Sequence, residues 1–532
     1  MTPFRCFTLA LIVTVLAGCA VGPNYHTPKM RTPDSFAAET LAQAAPPPSG
    51  KPAPQVDQAS WWRALEDPEL DSLVDRAIKS NPDVEIALDR LQAAREFEMG
   101  TFSTLLPDAE ASAGAGKGTG SDIGRGRASQ QLVSAETGTG LKQVNALAGF
   151  DAVWELDIFG KYRRAFEEAR YNAQAAADAR NAVLVAVIAD VARAYVDLRG
   201  FQTRSAVLHS GIDVLQKSQE IVTERYNRGI TNELDVTLAV RELNSLKAQV
   251  APLDAQLEAS KYAIATLLGQ YPEDLMKELA STAMVPSVPA TVQSGAPLDL
   301  LRRRPDIQEA ERQLAAANAS IGVAEGSLFP QVAFTGAIGY EHQGLGTTPS
   351  LSQHIWAAGP AAYWSLLDFG ALDAQVQVAR LQTRAQLVNY RRVIQSAVQE
   401  VDTAVSNYSA QQASLASLGL ALEASQRAVT LANERYDRGL TDFLNVVDAE
   451  RQEYAIEDQY TQTQVTACEQ FIALFRSLGG GWENYQQLPP IRKPLPAVLA
   501  AFRTLFTRDG SLREVDSNST PPAAIPAAAS DH

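Results

Sequence analysis

Two copies of one pattern, set a fixed distance apart, constrain this chain more than any other feature. The apolar seam Leu184, Ile188, Val191, Tyr195, Leu198 advances in steps of four, three, four and three. Ile394, Val398, Val401, Val405, Tyr408 repeats it at a spacing of 210. At the same spacing, Glu224-Arg225-Tyr226-Asn227-Arg228-Gly229-Ile230-Thr231 is answered by Glu434-Arg435-Tyr436-Asp437-Arg438-Gly439-Leu440-Thr441. Upstream the spacing is 223: Pro82-Asp83 matches Pro305-Asp306, and Leu106-Pro107 matches Phe329-Pro330. The slip of 13 residues falls between Pro107 and Trp154, where 116–142 is rich in Gly, Ser, Thr and charge. An insertion of that kind belongs in a surface loop. The chain is a tandem duplication with one enlarged loop.

Each copy is dominated by a long helix. No proline falls between Pro107 and Pro252 or between Pro360 and Pro489, in a chain that has 28. From Gly160 to Arg228 the only strong breakers are Gly200 and Gly211, so a helix there would run on the order of 100 Å. A narrow apolar seam with Ala, Gln, Asp and Arg on the other faces fits a coiled coil or helical tube. The composition agrees: 46% apolar but only 7% aromatic, which suits long helices better than a thick aromatic core. Gly229 and Gly439 are placed to stop the long helices in left-handed caps. Thr231 or Asn232, and Thr441 or Asp442, can then cap the returning helices.

Ahead of each long helix the period changes to two. Val332, Phe334, Gly336, Ile338 and Tyr340 share one face, and Phe150, Ala152, Trp154 and Leu156 oppose Gly149, Asp151, Val153 and Glu155. Strands are expected at about 107–117, 145–156, 330–341 and 354–366. Such alternation fits outer-membrane strands and equally a pair of soluble hairpins. If the strands span a membrane, four cannot close a barrel and an open edge cannot face lipid, so several subunits must share one barrel.

The N-terminus reads as an address. Residues 1–18 hold Arg5 and then the apolar stretch Phe7–Ala17, a secretory signal in size and order. It ends in Leu16-Ala17-Gly18-Cys19, which resembles the bacterial lipobox and implies diacylglycerol and palmitate on the Cys19 sulfur and amine. Each buried acyl methylene would contribute about 0.8 kcal/mol of membrane attachment. An ordinary cleaved signal with a chance cysteine is the competing reading. Ala20 in place of Asp favours outer-membrane sorting, by analogy with bacterial lipoproteins. Residues 19–60, with Pro46-Pro47-Pro48, Pro52 and Pro54, read as a lipid-anchored extended tether. Residues 61–284 and 285–484 hold the two repeats, and 485–532 form a tail expected to be largely disordered. After residue 18 no apolar run approaches a helical membrane span.

Several function classes find no support. The formal net charge is −15, and no long basic run is present to wrap nucleic acid. Cys6, Cys19 and Cys468 are too few for a disulfide framework. His26, His209, His342, His354 and His532 show no zinc spacing. The glycines of 114–126 precede no Gly-Lys-Ser or Gly-Lys-Thr. No catalytic residue, metal or diffusible cofactor is expected, and Cys468 is read as a small buried helix residue.

From Cys19 to about residue 484 the chain resembles the TolC-type outer membrane factors of tripartite efflux pumps, most of all their lipid-anchored, NodT-type branch. The resemblance is carried in order by Cys19-Ala20-Val21-Gly22-Pro23-Asn24-Tyr25, Trp61-Trp62, Trp154-Glu155-Leu156-Asp157-Ile158-Phe159-Gly160, Leu300-Leu301-Arg302-Arg303-Arg304-Pro305-Asp306-Ile307, Ile321-Gly322-Val323-Ala324, and Arg435-Tyr436 through Asp448-Ala449-Glu450-Arg451. It implies a mainly α fold with membrane β: a homotrimer whose twelve-strand outer-membrane barrel continues into a twelve-helix periplasmic barrel. Four strands and long coiled-coil helices would come from each protomer. It also implies a periplasmic membrane-fusion adaptor, an inner-membrane pump of the RND type, outer-membrane lipid around the barrel, and passive conduction of small toxic compounds. A duct for secreted polypeptides and a helical periplasmic lipoprotein without a conducting barrel are the alternatives. By position in the motif, Tyr436, Asp448 and Arg451 match the residues that constrict the periplasmic entrance. Asp235 sits where other members place a carboxylate, whereas Asn445 holds the corresponding place in the second repeat. Glu450 is taken as an outer-face charge with no part in the constriction.

Overall fold

The computed structural model describes residues 20–30, 33, 35–37, 56–118, 143–289, 303–345 and 351–486. The expected signal segment, Cys19, most of the Pro-rich tether, much of the enlarged loop and nearly all of the C-terminal tail lie outside the described residues. In chain order the first repeat holds α1 (Pro68–Ser80), α2 (Pro82–Ser103), β1 (Asp108–Gly118), β2 (Gln143–Leu156), α3 (Lys161–Asn227), α4 (Glu233–Lys247) and α5 (Val250–Leu267). The second holds α6 (Pro305–Gly326), β3 (Gln331–Leu345), β4 (Leu351–Tyr363), α7 (Ala371–Asp437) and α8 (Phe443–Leu478).

The duplication reaches the element ends. Helices α2 and α6 are both 22 residues long and 223 positions apart, and each opens on proline at its first turn. Helices α3 and α7 are both 67 residues long and 210 positions apart, or about 100 Å at 1.5 Å per residue. Each follows a left-handed glycine, Gly160 at φ 81° and Gly370 at φ 89°. Nearby carboxylates satisfy the free N–H groups of the first turn: Asp157 accepts from Tyr162 and Arg163, and Asp368 from Gly370 and Leu372. The return arms differ. In the first repeat the arm breaks at Ala248–Gln249 into α4 and α5, just ahead of Pro252, which has no N–H to donate back to residue 248. Gln462 stands at the corresponding place in the second, and α8 runs unbroken for 36 residues.

The four strands form one antiparallel sheet in the order β1-β2-β3-β4. Register places Phe150 opposite Ile338 and Ile338 opposite Trp356. The next row on that face but one aligns Trp154, Phe334 and Pro360. The other face sets Glu110 opposite Asp151 and carries Ser112 and Thr335. Strand β4 ends at Tyr363, earlier than the expected 366, because its ladder runs out opposite Gln331, the first residue of β3. Just beyond it, Trp364 donates its indole N–H to the Leu328 carbonyl at 3.1 Å. Trp154 makes the same bond to Leu105, also at 3.1 Å. Each hairpin is thus pinned at its base to the end of the preceding helix.

Below the sheet, α2, α3, α6 and α7 lie side by side, with α1, α5 and α8 closing the core. Trp61 stacks on Phe475 at 5.7 Å, and Trp62, Tyr195 and Phe471 fill the same cluster. All five seam residues of the first repeat are fully buried. In the second, Ile394, Val401 and Tyr408 are buried but Val398 and Val405 only half so. Helix α7 lies on the flank and packs chiefly against α6 and α8. No described helix is long and apolar enough to cross a membrane.

Candidate functional site

The two helix tips are built alike. Gly229 (φ 72°) and Gly439 (φ 70°) end α3 and α7 in the left-handed region. Ile230 N–H donates to the Arg225 carbonyl and Leu440 N–H to that of Arg435, both at 2.9 Å. This is the six-to-one bond of a Schellman stop. A Cβ on either glycine would meet open space, so the backbone angle, not crowding, calls for glycine there. Asn232 caps α4 by accepting the Asp235 N–H at 3.1 Å. On the second tip Asp442 makes no side-chain cap, and Asn445 donates to the Thr441 hydroxyl at 2.8 Å.

The four residues matched to a constriction have separate environments. Tyr436 is buried, set against Phe443 at 5.4 Å with its hydroxyl unpartnered. The Arg225 guanidinium lies over the Tyr436 ring, 4.2 Å from its centroid. Asp448 and Arg451 are exposed on α8 and bond to each other at 2.7 Å, one turn apart. An exposed pair of that kind contributes about 0–1 kcal/mol. Asp235 is half-buried in the first turn of α4 and accepts the Thr231 hydroxyl. Only Asp448 and Arg451 are joined directly.

Glu450 overturns the expectation of an outer-face charge. It is 7% exposed, turned toward α3, and accepts the Ser218 hydroxyl at 2.9 Å. Its other oxygen has no partner. Burial, with Glu453 adding to it and Ser218 opposing it, pushes this carboxyl up to about 7. Helical arithmetic accounts for the error: Glu450 lies two positions from Asp448, on a different face of α8, and continues the buried set Phe443, Val446, Val447.

A second site joins two of the sequence motifs. The first described stretch of the expected tether, Ala20–Met30, is fastened rather than free. Val21 N–H donates to the Phe159 carbonyl at 3.0 Å. Buried Arg164 donates to the carbonyls of Val21 and Gly22 and to the Asn24 side chain, at 3.0, 3.1 and 2.9 Å. Glu311 accepts from Tyr25 and Thr27, and Asn318 donates to the Pro23 carbonyl. Gly22, at φ 90°, lies so close to Gly322 that a Cβ would come within 2.5 Å of the Gly322 Cα. The glycines of two motifs three hundred positions apart therefore meet, and the strap bridges α3 and α6. Ala20 touches Gly160, which brings the chain following Cys19 to the junction of strands and helices.

Arg164, Arg225 and Ser218 were not singled out from the sequence. Arg225 stood inside a recognised repeat, but nothing in its spacing marked it as the partner of Tyr436. The Arg302-Arg303-Arg304 motif serves packing at its last residue: Arg304 is buried, bonds Asp306 through two nitrogens and donates to the Ser477 carbonyl at 2.8 Å.

The sequence profile of the outer membrane efflux protein family matches residues 73–270 and 296–480. Nodulation protein T of Rhizobium leguminosarum bv. trifolii is 29% identical over 454 residues, which are 84% of this chain and 91% of that protein. The probable efflux pump outer membrane protein TtgC of Pseudomonas putida is 28% identical over 491 residues, 90% and 96% of the two chains. Among solved structures, the outer-membrane channel OprN superposes with a TM-score of 0.76 at 33% identity, over 87% of this chain and 100% of that one. The two matched stretches coincide with the two copies of the duplication, and the chain belongs to the outer membrane efflux protein family.

Proposed function

We propose that the chain is the outer-membrane channel of a tripartite efflux pump, acting as a homotrimer that conducts small toxic compounds outward. The supporting observation is a pair of open flanks. The sheet ends on β1 and β4 with no strand beyond either among the described residues. On the same two sides, α2 leaves Ile86 and Phe97 exposed, and α7 leaves Val378, Leu381 and Val388 exposed. An unpaired sheet edge cannot face lipid. The β4 and α7 flank of one copy, set against the β1 and α2 flank of the next, satisfies both requirements in a closed ring.

The repeat supplies a template for that joint. Within the protomer Phe159 stacks on Phe329 at 4.6 Å, joining the two repeats. Their counterparts are Phe369, spaced by 210, and Leu106, spaced by 223. Phe369 is 97% exposed, so its quasi-equivalent partner is Leu106 of the adjoining copy. Three copies give twelve strands, enough to leave a lumen where eight would be filled by side chains. Phe150, Ile338 and Trp356, each well exposed on one face, supply the apolar band that lipid requires. Soluble hairpins or a helical stalk would leave that band in water.

The tips are the proposed periplasmic end, with Asp448 and Arg451 of each copy near the axis and Tyr436 behind them. Ile230 and Leu440 are exposed there at the repeat spacing, as are Leu234 and Leu444. They suit docking of a periplasmic adaptor, which would link the trimer to a proton-driven inner-membrane pump. Diacylglycerol and palmitate on Cys19 would lie at the membrane surface. The full-length protein, extracted in detergent, is expected to be a heat-modifiable trimer that forms channels in planar bilayers. A stable, non-conducting monomer would refute the reading.

A further inference from the structure

Glu450 lines a cavity of about 80 Å³ between α3, α4 and α8. Its Oε2 is inaccessible and unpartnered, although the residue is ionisable and 7% exposed. A bare carboxylate in such a place is strongly disfavoured, whereas the neutral acid is tolerated. The surrounding groups offer it no countercharge. Helix α3 presents Ser218, which donates to Oε1 at 2.9 Å. Helix α4 presents Glu242, whose carboxylate lies 3.5 Å from Arg241. Helix α8 adds Glu453, Tyr454, Glu457 and Arg451, and the Arg451 guanidinium is bonded to Asp448. The tyrosine hydroxyl donates to Gln249 at 3.2 Å.

We propose that Glu450 is a proton-operated latch: protonated, it lets α8 stay seated on α3, and on losing its proton it drives α8 outward toward water. Asp448 lies two residues before it and Arg451 one after, on the same helix. Movement of α8 therefore displaces both groups assigned to the constriction, and the latch rests on that assignment. The sign follows from burial. The seated carboxyl titrates near 7, above the ordinary carboxylate range near 4.3. Seating is fully supported below the lower value, weakens as pH rises between the two, and has lost the whole contribution above 7. For one group, seating weakens about tenfold between pH 6 and 8. Acid holds the tip packed, and neutral to alkaline pH releases it.

The test uses the full-length trimer in two readouts over pH 5.5 to 8. One is open-channel fraction in planar bilayers; the other is hydrogen exchange of residues 443–460, corrected for intrinsic rate. The wild type is expected to lose about tenfold in protection between pH 6 and 8 while its open fraction rises. Glu450→Gln is expected to stay protected and flat in both readouts. Ser218→Ala removes the bond that favours the ionised form, so its midpoint should move to higher pH. That variant also keeps the question open to test if Glu450→Gln assembles poorly. A wild-type exchange profile in Glu450→Gln, or an unmoved midpoint in Ser218→Ala, overturns the latch. Absence of conductance at every pH overturns the channel reading instead, because exchange reports on Glu450 whether or not the trimer conducts.

Discussion

The guanidinium of Arg225 lies 4.2 Å from the ring centroid of Tyr436, so the tip of α3 is fastened to the tip of α7. The two residues come from different copies of the duplication, and the relation is not reciprocal. Tyr226, the repeat mate of Tyr436, is left exposed. Arg225 also lies 3.8 Å from Asp437. A cation over a ring contributes about 0.5 kcal/mol when exposed and about 2 when desolvated. Tyr436 is buried and Arg225 only partly so, which places this contact between those limits.

Removing the fastener should loosen the tips without unfolding the protein. Arg225→Ala is expected to speed proteolysis at the turns 229–232 and 439–442 several-fold, and to raise single-channel conductance. Arg225→Lys should fall between, since an ammonium keeps the charge but not the planar stack. Unchanged cleavage in Arg225→Ala would mean that the stack does not hold the tips together.

The strap gives a sharper test. Gly22→Ala would force a side chain into both a left-handed backbone position and the Gly322 backbone. The backbone term alone costs about 1–2 kcal/mol, and the clash is with the α6 backbone, which cannot shift cheaply. The variant should release residues 20–30 to protease while leaving the helices intact by circular dichroism. Cys19→Ser should abolish fatty-acid labelling without freeing the strap, because Arg164 and Glu311 hold it independently of the thiol.

Assembly should be sensitive to a side chain that the isolated protomer does not use. Phe369→Ser is expected to leave the protomer's helix content unchanged and to lower the heat stability of the trimer by several degrees in gel-shift assays. Phe329→Ser, which breaks the stack inside the protomer, should also disturb the fold itself. Unchanged heat stability of the trimer in Phe369→Ser would show that Phe369 has no partner in the assembly.

What the sequence carried was periodic. Heptad steps and the spacing of 210 located α3 and α7, and the same spacing located their glycine stops. Alternation located the strands, but not the end of β4, which is set by where its partner β3 begins at Gln331. The constriction residues came as a list along one chain, and nothing in the list distinguished buried Tyr436 from exposed Asp448. Glu450 was misplaced for a related reason: on a 36-residue helix its face depends on accumulated phase, and a charged residue biases the reading toward solvent. The strap was invisible to pattern, because Arg164 holds backbone carbonyls and neither Gly22 nor Gly322 lies in any period.

Cys468 should be chemically inert. It is buried, donates to the Pro286 carbonyl at 3.1 Å, and burial, with a lesser contribution from Glu469, pushes the thiol up to about 12. The thiolate is the reactive species, so maleimide should label it only after denaturation. Rapid labelling of the native trimer would contradict this packing.

The constriction itself is tested at Asp448 and Arg451. Within one protomer they neutralise each other along α8, with side chains 58% and 51% exposed, so removing both should leave local stability almost unchanged. In the proposed ring, three such pairs would face a common axis, and their repulsions and attractions would sum to a barrier of a few kcal/mol at most. Asp448→Ala with Arg451→Ala is therefore expected to raise conductance and weaken block by trivalent cations, while the melting temperature stays within a few degrees of wild type. Glu450 is buried and cannot serve as the control; Gln452, exposed on the same turn, does. Gln452→Ala should alter neither property. If the double variant conducts like the wild type and cation block persists, the pair is a solvated surface bridge and the narrowest point of the tube lies elsewhere.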